Sequence, residues 1–419
     1  MTTNLWPRVK ISNLCELIVD CVNKTAPSVD YETPYKMIRT PNIKNGKINL
    51  AGCRFVEKEI FQKWIRRATV ERGDVLLTRE APMGEVGYVN FEDTVFLGQR
   101  IMQYRVNPQK LDSDYLLYAF LSPDLQSQFR RHDSTGSIVS HIRVPDCSEF
   151  EINTPPINEQ RKISKVLRKI DDKIELNNSI NSELESMAKT LYDYWFVQFD
   201  FPDANGKPYK SSGGKMAYNQ ILKREIPEGW VVTTVGSIGK TELGGTPSTA
   251  IEEYWKNADI PWLSSGEMAS FPIITSEQKI TQAGIDNSAA VLLPKGTVVI
   301  SIVRYIRPSI LGIDATTNQS VVGIRECGWL KSSFIYPYFC SEVPRLMGLR
   351  TGAQQPHINK GVIDESPIVI PPLSILNNYY KVADLIFEKI MNVAFQKHEL
   401  IKLRDWLLPM LMNGQVTVK

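Results

Sequence analysis

Apolar residues follow a regular pattern after two consecutive prolines, Pro155 and Pro156. They recur at alternating spacings of four and three residues, which is the pattern of a coiled-coil seam. Proline suits the first turn of a helix, because the N–H that it lacks would have no partner there. The pattern predicts a long helix over residues 157–199, with a seam formed by Ile163, Leu167, Ile170, Ile174, Leu184, Leu191 and Trp195.

Asn177 and Asn181 also fall on this seam. A buried polar residue in a coiled coil can fix the register of the helices at some loss of stability. The alternative is that both asparagines face solvent where the seam rotates around the helix. The sequence leaves these two interpretations open.

A second helical stretch follows Pro372. It is predicted over residues 373–412, and Pro409 is expected to end or kink it near Leu408. Neither long helix has another amphipathic helix nearby in sequence, so we expect the two to pack together as an antiparallel coiled coil. The second seam contains Ile386, Ile390, Leu400 and Leu407, and it is interrupted by Lys397 and Arg404.

An internal repeat organises the chain. The segment Pro155-Pro156-Ile157 recurs as Pro371-Pro372-Leu373, 216 residues later. Further upstream the offset drifts, and Gln99 matches Gln319 at 220 residues, as a few short loop insertions would cause. The chain therefore contains two copies of one unit, each a mixed region followed by a long helix.

The mixed regions contain short β-branched runs bounded by Gly, Pro or Asn, with helical patterns between them. The fold class is thus α+β, with two similar mixed α/β domains separated by the two long helices. The predicted order is a first domain over 1–156, the first helix over 157–199, an exposed linker rich in Pro, Gly, Ser and Lys over 200–229, a second domain over 230–372 and the second helix over 373–412.

This architecture predicts a reader of DNA with a split target. At about 1.5 Å per residue, helices of this length would span on the order of 55 to 60 Å, and antiparallel pairing would place the domains at opposite ends of a rod. Half-sites on one face of B-DNA lie about 34 to 36 Å apart for one turn, which such a rod can span. Two similar but unlike domains therefore predict an asymmetric, bipartite target.

Composition adds few constraints. The chain is 42% hydrophobic and 23% charged, without an apolar run near the length of a membrane span, so we expect a cytoplasmic protein that contacts no membrane. A net charge of +3 permits DNA binding without arguing for it. The cysteines include no C-x-x-C pair and the histidines lack metal-ligand spacing, so we expect no metal site.

Loops rich in Arg, Asn, Gln, Lys and Ser are the candidates for contacting DNA. Arg presents paired donors to guanine, Asn and Gln present a donor and an acceptor to adenine, and Lys, Ser and Thr hold phosphates. For any single residue the alternative is an ordinary solvated position. The candidates are Arg39, Thr40, Asn42, Lys44, Arg79, Gln99, Arg100, Ser137, His141 and Arg143 in the first domain, and Ser264, Ser265, Glu267, Arg304, Tyr305, Gln319, Gln354, Gln355, His357 and Asn359 in the second.

Positions that the two halves share need a separate interpretation. Two domains that read different sequences should share their scaffold and differ where they contact bases. The matched pairs, Thr135 with Thr351, Gly136 with Gly352 and His141 with His357, are thus expected to bind phosphate or to be structural. Ile138, Val139 and Arg143 differ from Gln354, Gln355 and Asn359, as base-contacting positions should.

Catalytic motifs are incomplete, so we expect no catalytic residues. Asn153-Thr154-Pro155-Pro156-Ile157 approaches an amino-methyltransferase motif, but it has an inserted threonine and lacks the aromatic residue that stacks on a flipped base. The segment LGGTPST (243–249) lacks the Gly-Lys ending of a phosphate loop. Asp146, Glu149 and Glu151 lack the lysine that follows the last acid in nuclease clusters, and are interpreted as surface loop and strand edge.

Nine segments of the chain, arranged around the duplicated helices, resemble the specificity subunit of type I restriction and modification systems in their sequences and in their order. The resemblance runs from Trp6 to about Gln415. The segments are LGQRI (97–101), STGSIVSHI (134–142), PPINEQRKISKVLRKIDDKIELN (155–177), LYDYWFVQFDFP (191–202), NGKPYKSSGGKM (205–216), LGGTPST (243–249), IPWLSSGEM (260–268), TTNQSV (316–321) and RTGAQQPHI (350–358).

The resemblance implies that each mixed domain is a target-recognition domain for one half-site of double-stranded DNA. The helices would separate the domains and dock two modification (methyltransferase) subunits. S-adenosylmethionine, ATP and Mg²⁺ are expected on partner subunits and no cofactor on this chain. Restriction subunits would add an ATP-dependent nuclease, and the sequence leaves open whether they join.

Two other functions stay open at this point. One is a scaffold or adaptor whose helical rod organises partner subunits without reading DNA. The other is a self-sufficient DNA-modifying enzyme, against which the incomplete motifs count.

Overall fold

The computed structural model describes residues 6–133 and 141–418. The chain divides into two compact units, the first formed by residues 1–174 with 399–419 and the second by residues 175–398. Each unit therefore contains one mixed domain and a segment of each long helix. Among the described residues, no helix combines the length and apolar character that a membrane span requires.

The first domain is built on short strands. In β7 (Val75–Thr78), Val75, Leu76 and Leu77 are all fully buried, because the strand is covered on both faces. The other elements of unit 1 are β1 (Arg8–Lys10), β2 (Cys15–Asp20), β3 (Lys36–Ile38), β4 (Ile43–Lys44), β5 (Lys47–Ile48), β6 (Arg54–Phe55), α1 (Lys58–Trp64), β8 (Val86–Tyr88), β9 (Val95–Leu97), β10 (Ile101–Val106), α2 (Ser113–Leu121), α3 (Pro123–Arg130), β11 (Glu151–Asn153) and the start of α4 (Ile157–Tyr192).

The second domain belongs to unit 2. A π-helical turn (Asp193–Val197) extends α4 into it. The further elements are β12 (Met216–Asn219), β13 (Arg224–Pro227), β14 (Val231–Thr234), α5 (Val235–Ile238), β15 (Thr241–Leu243), β16 (Ile260–Leu263), β17 (Gln278–Ile280), α6 (Gln282–Asp286), β18 (Val298–Ser301), β19 (Arg307–Ile310), β20 (Thr316–Thr317), β21 (Val321–Ile324), α7 (Ser332–Gly348), α8 (Lys360–Asp364), β22 (Pro367–Ile370) and α9 (Leu373–Met412).

The two domains share one topology. Their main sheets have the orders β2-β10-β7-β8 and β15-β21-β18-β19, and their second sheets the orders β6-β3-β9 and β17-β16-β20. In each second sheet one pair is parallel, with Met37 opposite Phe96 and Trp262 opposite Thr316. The prediction of two similar mixed α/β domains is confirmed.

In unit 1 the long helices pack antiparallel. Ile163 lies in one hydrophobic cluster with Leu408 and Leu411, near the end of α9. Further along α4, Asp171 Oδ1 accepts a hydrogen bond at 3.1 Å from Nη1 of Arg404, which precedes Leu408 in α9. The residue numbers rise along one helix while they fall along the other.

The same pairing occurs in unit 2. The rings of Trp195 and Tyr379 lie 5.6 Å apart, and Leu191 and Ile386 line one groove. Of the predicted seam, Ile163, Leu167, Ile170, Ile174, Trp195, Ile386 and Ile390 are buried, and Leu184, Leu191, Leu400 and Leu407 are partly buried.

The seam asparagines are buried and do not face solvent. Asn177 is 1% exposed and Asn181 is 9% exposed. Nδ2 of Asn177 and Oδ1 of Asn181 have no hydrogen-bond partner among the described residues. Both side chains therefore reduce the stability of the helix pair, since an unpaired buried polar atom loses its hydrogen bonds to water.

Pro409 was expected to end or kink the second long helix near Leu408. An end there is wrong, because α9 continues through Pro409 to Met412, where its predicted range also ends. The continuation buries Leu408, Leu411 and Met412, which are 2–8% exposed, in the core of unit 1. This apolar contact offsets the one backbone hydrogen bond that proline removes.

Most residues of the segment 200–229 are exposed, as expected of a linker, but part of the segment is ordered and buried. It contains the β12–β13 hairpin, and its Phe201 and Ile226 are buried in the main core of unit 2. The Phe201 ring stacks on Trp230 at 5.1 Å and on Tyr209 at 4.7 Å. Its apolar residues are too widely spaced for a periodic pattern, so the sequence did not reveal this contact.

In each unit an ion pair, here called a joint, links the domain to the long helix that follows it. The positions of the acidic and the basic residue are reversed between the two joints. In unit 1, Asp114 of α2 forms an ion pair with Arg168 of α4. In unit 2, Lys331, which precedes α7, forms an ion pair with Asp384 of α9 at 2.6 Å. Arg168 and Asp384 occupy matched positions, 216 residues apart in sequence. The acidic partner lies on the domain in one joint and on the helix in the other.

Candidate nucleic-acid interface

Four of the predicted loops of the first domain meet at one junction. The backbone N–H of Gly98 donates to the carbonyl of Ile38 at 2.7 Å, and that of Arg79 donates to Arg100 at 2.8 Å. The N–H of Ile142 then donates to the carbonyl of Arg79 at 2.9 Å. These bonds bring the loops around residues 39–44, 79–80, 99–100 and 141–143 together.

The second domain has the same junction. Asn318 donates to Leu263 at 2.9 Å, Ile302 to Ser320 at 2.9 Å, and Ile358 to Ile302 at 3.0 Å, all between backbone groups. The loops around residues 264–267, 302–305, 318–320 and 354–359 thus meet as their counterparts do. The tertiary fold brings together residues that are far apart in sequence, in both copies.

A hydroxyl group closes the same turn in each domain. Thr78 Oγ1, at the end of β7, donates to the carbonyl of Pro82 at 2.6 Å. Ser301 Oγ, at the end of β18, donates to the carbonyl of Tyr305, also four residues ahead. These matched residues shape the turns that present the neighbouring side chains.

Some predicted DNA-contacting residues of the first domain hold its loops together. Thr40 is buried and donates through Oγ1 to the carbonyl of Ala81 at 2.9 Å. Asn42 is also buried. Its Oδ1 accepts from the N–H of Arg39 at 2.9 Å, and its Nδ2 donates to the carbonyl of Asn49 at 3.1 Å. Both side chains are therefore bonded within the protein.

The guanidinium of Arg79 is likewise internal. Arg79 is 9% exposed, and its Nη1 donates to the carbonyl of Ile142 at 3.1 Å. The matched position in the second domain is Ile302, which is also buried. An arginine and an isoleucine at the same buried place indicate a structural position. Arg39 is half-buried, and its Nη2 donates to the carbonyl of Gly52 at 3.4 Å.

The exposed candidates of the first domain are basic. Lys44, Arg100, His141 and Arg143 are exposed, and Gln99 is half-buried. The Arg100 guanidinium forms an ion pair with Glu80 at 3.1 Å, and the Arg143 guanidinium donates to both carboxylate oxygens of Asp146. That hydrogen bonding raises the pKa of Arg143. Ser137 lies outside the described residues.

The second domain exposes a larger share of its candidates. Arg304, Tyr305, Gln319, Gln354, Gln355, His357 and Asn359 are exposed, and Ser264, Ser265 and Glu267 are half-buried. The carboxylate of Glu267 accepts from the N–H groups of Ser264 at 2.7 Å and Glu277 at 3.0 Å, so it closes its own loop. Asn359 caps α8, because its Oδ1 accepts from the N–H of Val362 at 3.0 Å.

Three further residues lie at the second junction: Arg307, in the same predicted loop as Arg304 and Tyr305, and Arg350 and Thr246, which lie outside the predicted loops. The Arg307 guanidinium lies 4.8 Å from the centre of the Tyr305 ring, and Arg350 donates to the carbonyl of Arg304. Both extend the basic surface of the second junction. Thr246 donates to the amide oxygen of Gln319. No local pattern identifies Arg350 and Thr246, because only the tertiary fold places them beside the loops.

The acidic residues considered as a nuclease cluster are each paired with a basic residue. Asp146 pairs with Arg143, Glu149 with Lys10 at 2.6 Å, and Glu151 with Arg8 at 3.6 Å. Among the described residues, no group of three His, Cys, Asp or Glu side chains could hold a metal ion.

The duplicated junctions and the paired helices define a two-domain recognition protein. The family model described as "Type I restriction modification DNA specificity domain" matches residues 4–186 and 227–399, so the chain belongs to this family. The resemblance noted in the sequence is confirmed. Two matches to one model also reproduce the internal repeat.

Curated relatives support the assignment. The chain is 28% identical over 372 residues to the type I restriction enzyme MjaIX specificity subunit of Methanocaldococcus jannaschii, covering 87% of this chain and 83% of that protein. It is 23% identical over 410 residues to the HindI specificity subunit of Haemophilus influenzae, covering 84% and 88%. The crystal structure of a type I S subunit from M. genitalium shares the fold, with a TM-score of 0.58, 16% identity and coverage of 98% and 97%.

Proposed function

We propose that this chain selects the DNA target of a type I restriction and modification complex and does no chemistry itself. Each domain reads one half of a bipartite target through its four-loop junction. S-adenosylmethionine, ATP and Mg²⁺ bind to partner subunits. The observation that carries the proposal is the duplicated junction, in which the same backbone bonds present different exposed side chains.

Methylome sequencing of the host with and without this gene tests the proposal. We expect a methylated motif of two separated half-sites to disappear when the gene is deleted and to return with a plasmid copy. Unchanged methylation in a host that carries the modification subunit would contradict it. If the chain were instead a scaffold that reads no DNA, a host that has another specificity subunit would keep the methylated motif after the gene is deleted.

We further infer that the helix pair of unit 2 docks a modification subunit. An apolar groove of about 400 Å³ lies there, lined by Leu191 and Ile386 with the exposed side chains of Met187, Tyr194 and Val382. Met187 is 54% exposed. Exposed apolar side chains that are contiguous in a groove are typical of a protein interface.

Co-purification with the modification subunit tests this docking surface. Met187→Glu should reduce the amount of bound subunit, because it places a charge where an apolar surface must be buried. Leu292→Glu is the control, since Leu292 is 43% exposed and lies outside the groove. Equal recovery with both variants would exclude the groove as the docking site.

A further inference from the structure

Gln99 and Gln319 occupy matched positions, and each amide oxygen accepts from the segment that follows β2 or β15, the matched edge strands of the main sheets. Oε1 of Gln319 accepts a hydrogen bond at 2.6 Å from Oγ1 of Thr246, which follows β15. In the amide orientation that satisfies its neighbours, the Gln99 oxygen accepts from the N–H groups of Lys24 at 3.3 Å and Thr25 at 3.1 Å, which follow β2. In both domains the amide oxygen accepts from the protein. In this orientation the Gln99 NH₂ group lies 3.5 Å from Thr25 Oγ1, so one of its hydrogens faces the protein and the other is available as a donor, while the NH₂ group of Gln319 donates to no described residue.

We propose that Gln99 and Gln319 are a matched pair of phosphate-binding donors, one in each domain, and that neither reads a base. The proposal rests on the proposed function. Glutamine reads adenine by donating and accepting at once, which requires its oxygen as well as its NH₂ group. With the oxygen engaged by the protein, the NH₂ group suits a phosphate oxygen, which accepts hydrogen bonds only.

The shared position supports the same role. Domains that read different half-sites must differ at base contacts, whereas contacts to the DNA backbone are the same for every sequence. Gln99 and Gln319 are identical, but Gln354 and Gln355 stand where the first half has Ile138 and Val139. The amide that the two repeats share therefore belongs to the sequence-independent part of each interface. The exposed Lys24 beside Gln99 adds a positive charge suited to the same phosphate backbone.

The test compares two charge-matched variants of the second domain in the full-length chain, purified with its modification subunit. Gln319→Glu keeps an oxygen to accept from Thr246 but replaces the NH₂ donor by an acceptor. Gln355→Glu adds the same charge at an exposed glutamine whose side chain is not held in this way. Dissociation constants are measured for a duplex that contains the methylated motif and for a scrambled duplex of equal length.

We expect Gln319→Glu to weaken binding to both duplexes by the same factor, about 10-fold, as for loss of a hydrogen bond to a charged acceptor. The ratio of the two constants should stay at the wild-type value. Gln355→Glu should weaken binding to the scrambled duplex less than binding to the duplex with the motif, so the ratio of the two dissociation constants should change. Gln319→Met, which removes the donor without adding charge, should behave as Gln319→Glu does.

The binding measurements test the phosphate role of the glutamines separately from the proposed function. A changed ratio with Gln319→Glu, or unchanged binding of both duplexes, would overturn the phosphate role while leaving the proposed function standing. Failure of the wild-type complex to bind either duplex would overturn both. If Gln319→Glu lowers the unfolding midpoint, Gln99→Glu in the first domain provides the same comparison, and unequal effects on the two duplexes there would likewise refute the assignment.

Discussion

At the residue scale, burial separates the candidate DNA contacts into two groups. Thr40, Asn42 and Arg79 are buried and hydrogen-bonded to the protein, so they shape the first junction. Gln354 and Gln355 are exposed and have no counterparts of the same type in the first half. The second group is thus the better source of base contacts.

Replacing Gln354 and Gln355 by Ala should change only one half of the methylated motif. Each good base contact contributes about 1 to 3 kcal/mol of discrimination, so relaxed recognition at one or two bases is expected. Methylome sequencing of a host carrying the variant measures this. Loss of methylation at both halves would point to a folding or assembly defect instead.

The loops could be predicted from the sequence, but the role of each residue could not. Arg, Asn and Gln in a loop have the chemistry for base contacts, whichever way they face. Whether Asn42 contacts a base or bonds to Asn49 depends on a turn that the first domain closes through contacts distant in sequence. Repetition is the more informative signal, since it matches Gln99 with Gln319 along the chain.

A buried seam asparagine should be destabilising. Asn177→Leu removes an unpaired Nδ2 and is expected to raise the free energy of unfolding by about 1 to 3 kcal/mol. Asn178→Leu is the matched control, because Asn178 is exposed on the same turn, and it should have little effect. Thermal or denaturant unfolding measures both variants. A loss of stability with Asn177→Leu would show that the asparagine makes a contact the helix pair requires.

At the element scale, the two domain-to-helix joints occupy matched positions, but their acidic and basic residues are exchanged between domain and helix. Joint 1 has Asp114 on the domain and Arg168 on the helix, whose guanidinium also lies 4.7 Å from the Tyr88 ring. Joint 2 has Lys331 on the domain and Asp384 on the helix. A helix packed against the other domain would bring like charges together.

A double-mutant cycle measures how much the Asp114–Arg168 ion pair of the first joint contributes to the free energy of unfolding. Arg168→Asp and Asp114→Arg should each lower the free energy of unfolding by about 1 kcal/mol, and the double reversal should recover part of that loss. Reversing Lys162 and Glu159, an exposed pair within α4, should be nearly neutral. Additive losses in the double reversal, without recovery, would show that the pair does not contribute through its charges.

Lys397, which interrupts the second seam, should make the stability of the protein depend on pH. Burial lowers the pKa of Lys397 below 10.5, so the folded state disfavours its charged form. The penalty is complete below the lowered pKa and disappears as the pH rises to 10.5. Lys397→Met should therefore stabilise the protein at neutral pH, and its advantage should shrink as the pH approaches 10.5. An advantage that is constant over this range would contradict the assignment to charge burial.

At the scale of the whole molecule, DNA binding should divide between two independent surfaces. Lys44 and Arg304 are exposed in different units, and neither has an ion-pair partner among residues 6–133 and 141–418. The net charge of +3 is small, so these local basic groups supply the attraction to phosphate. Contacts in separate units should contribute additively.

Salt titrations of DNA binding check this. Lys44→Ala and Arg304→Ala should each reduce the slope of log affinity against log salt concentration by about 1, and the double variant by about 2. Both single variants should weaken scrambled and specific duplexes alike. A slope unchanged in either variant would exclude that residue from the phosphate contacts.

The sequence by itself determined the duplication, the two long helices and the α+β class of both domains. These follow from local periodicity and from repeated segments, which are visible along the chain. Only the tertiary structure decided that residues 200–229 contribute Phe201 and Ile226 to a core, and which candidate side chains are buried. The physical reason is that burial and hydrogen bonding depend on contacts between distant segments, which local patterns do not specify.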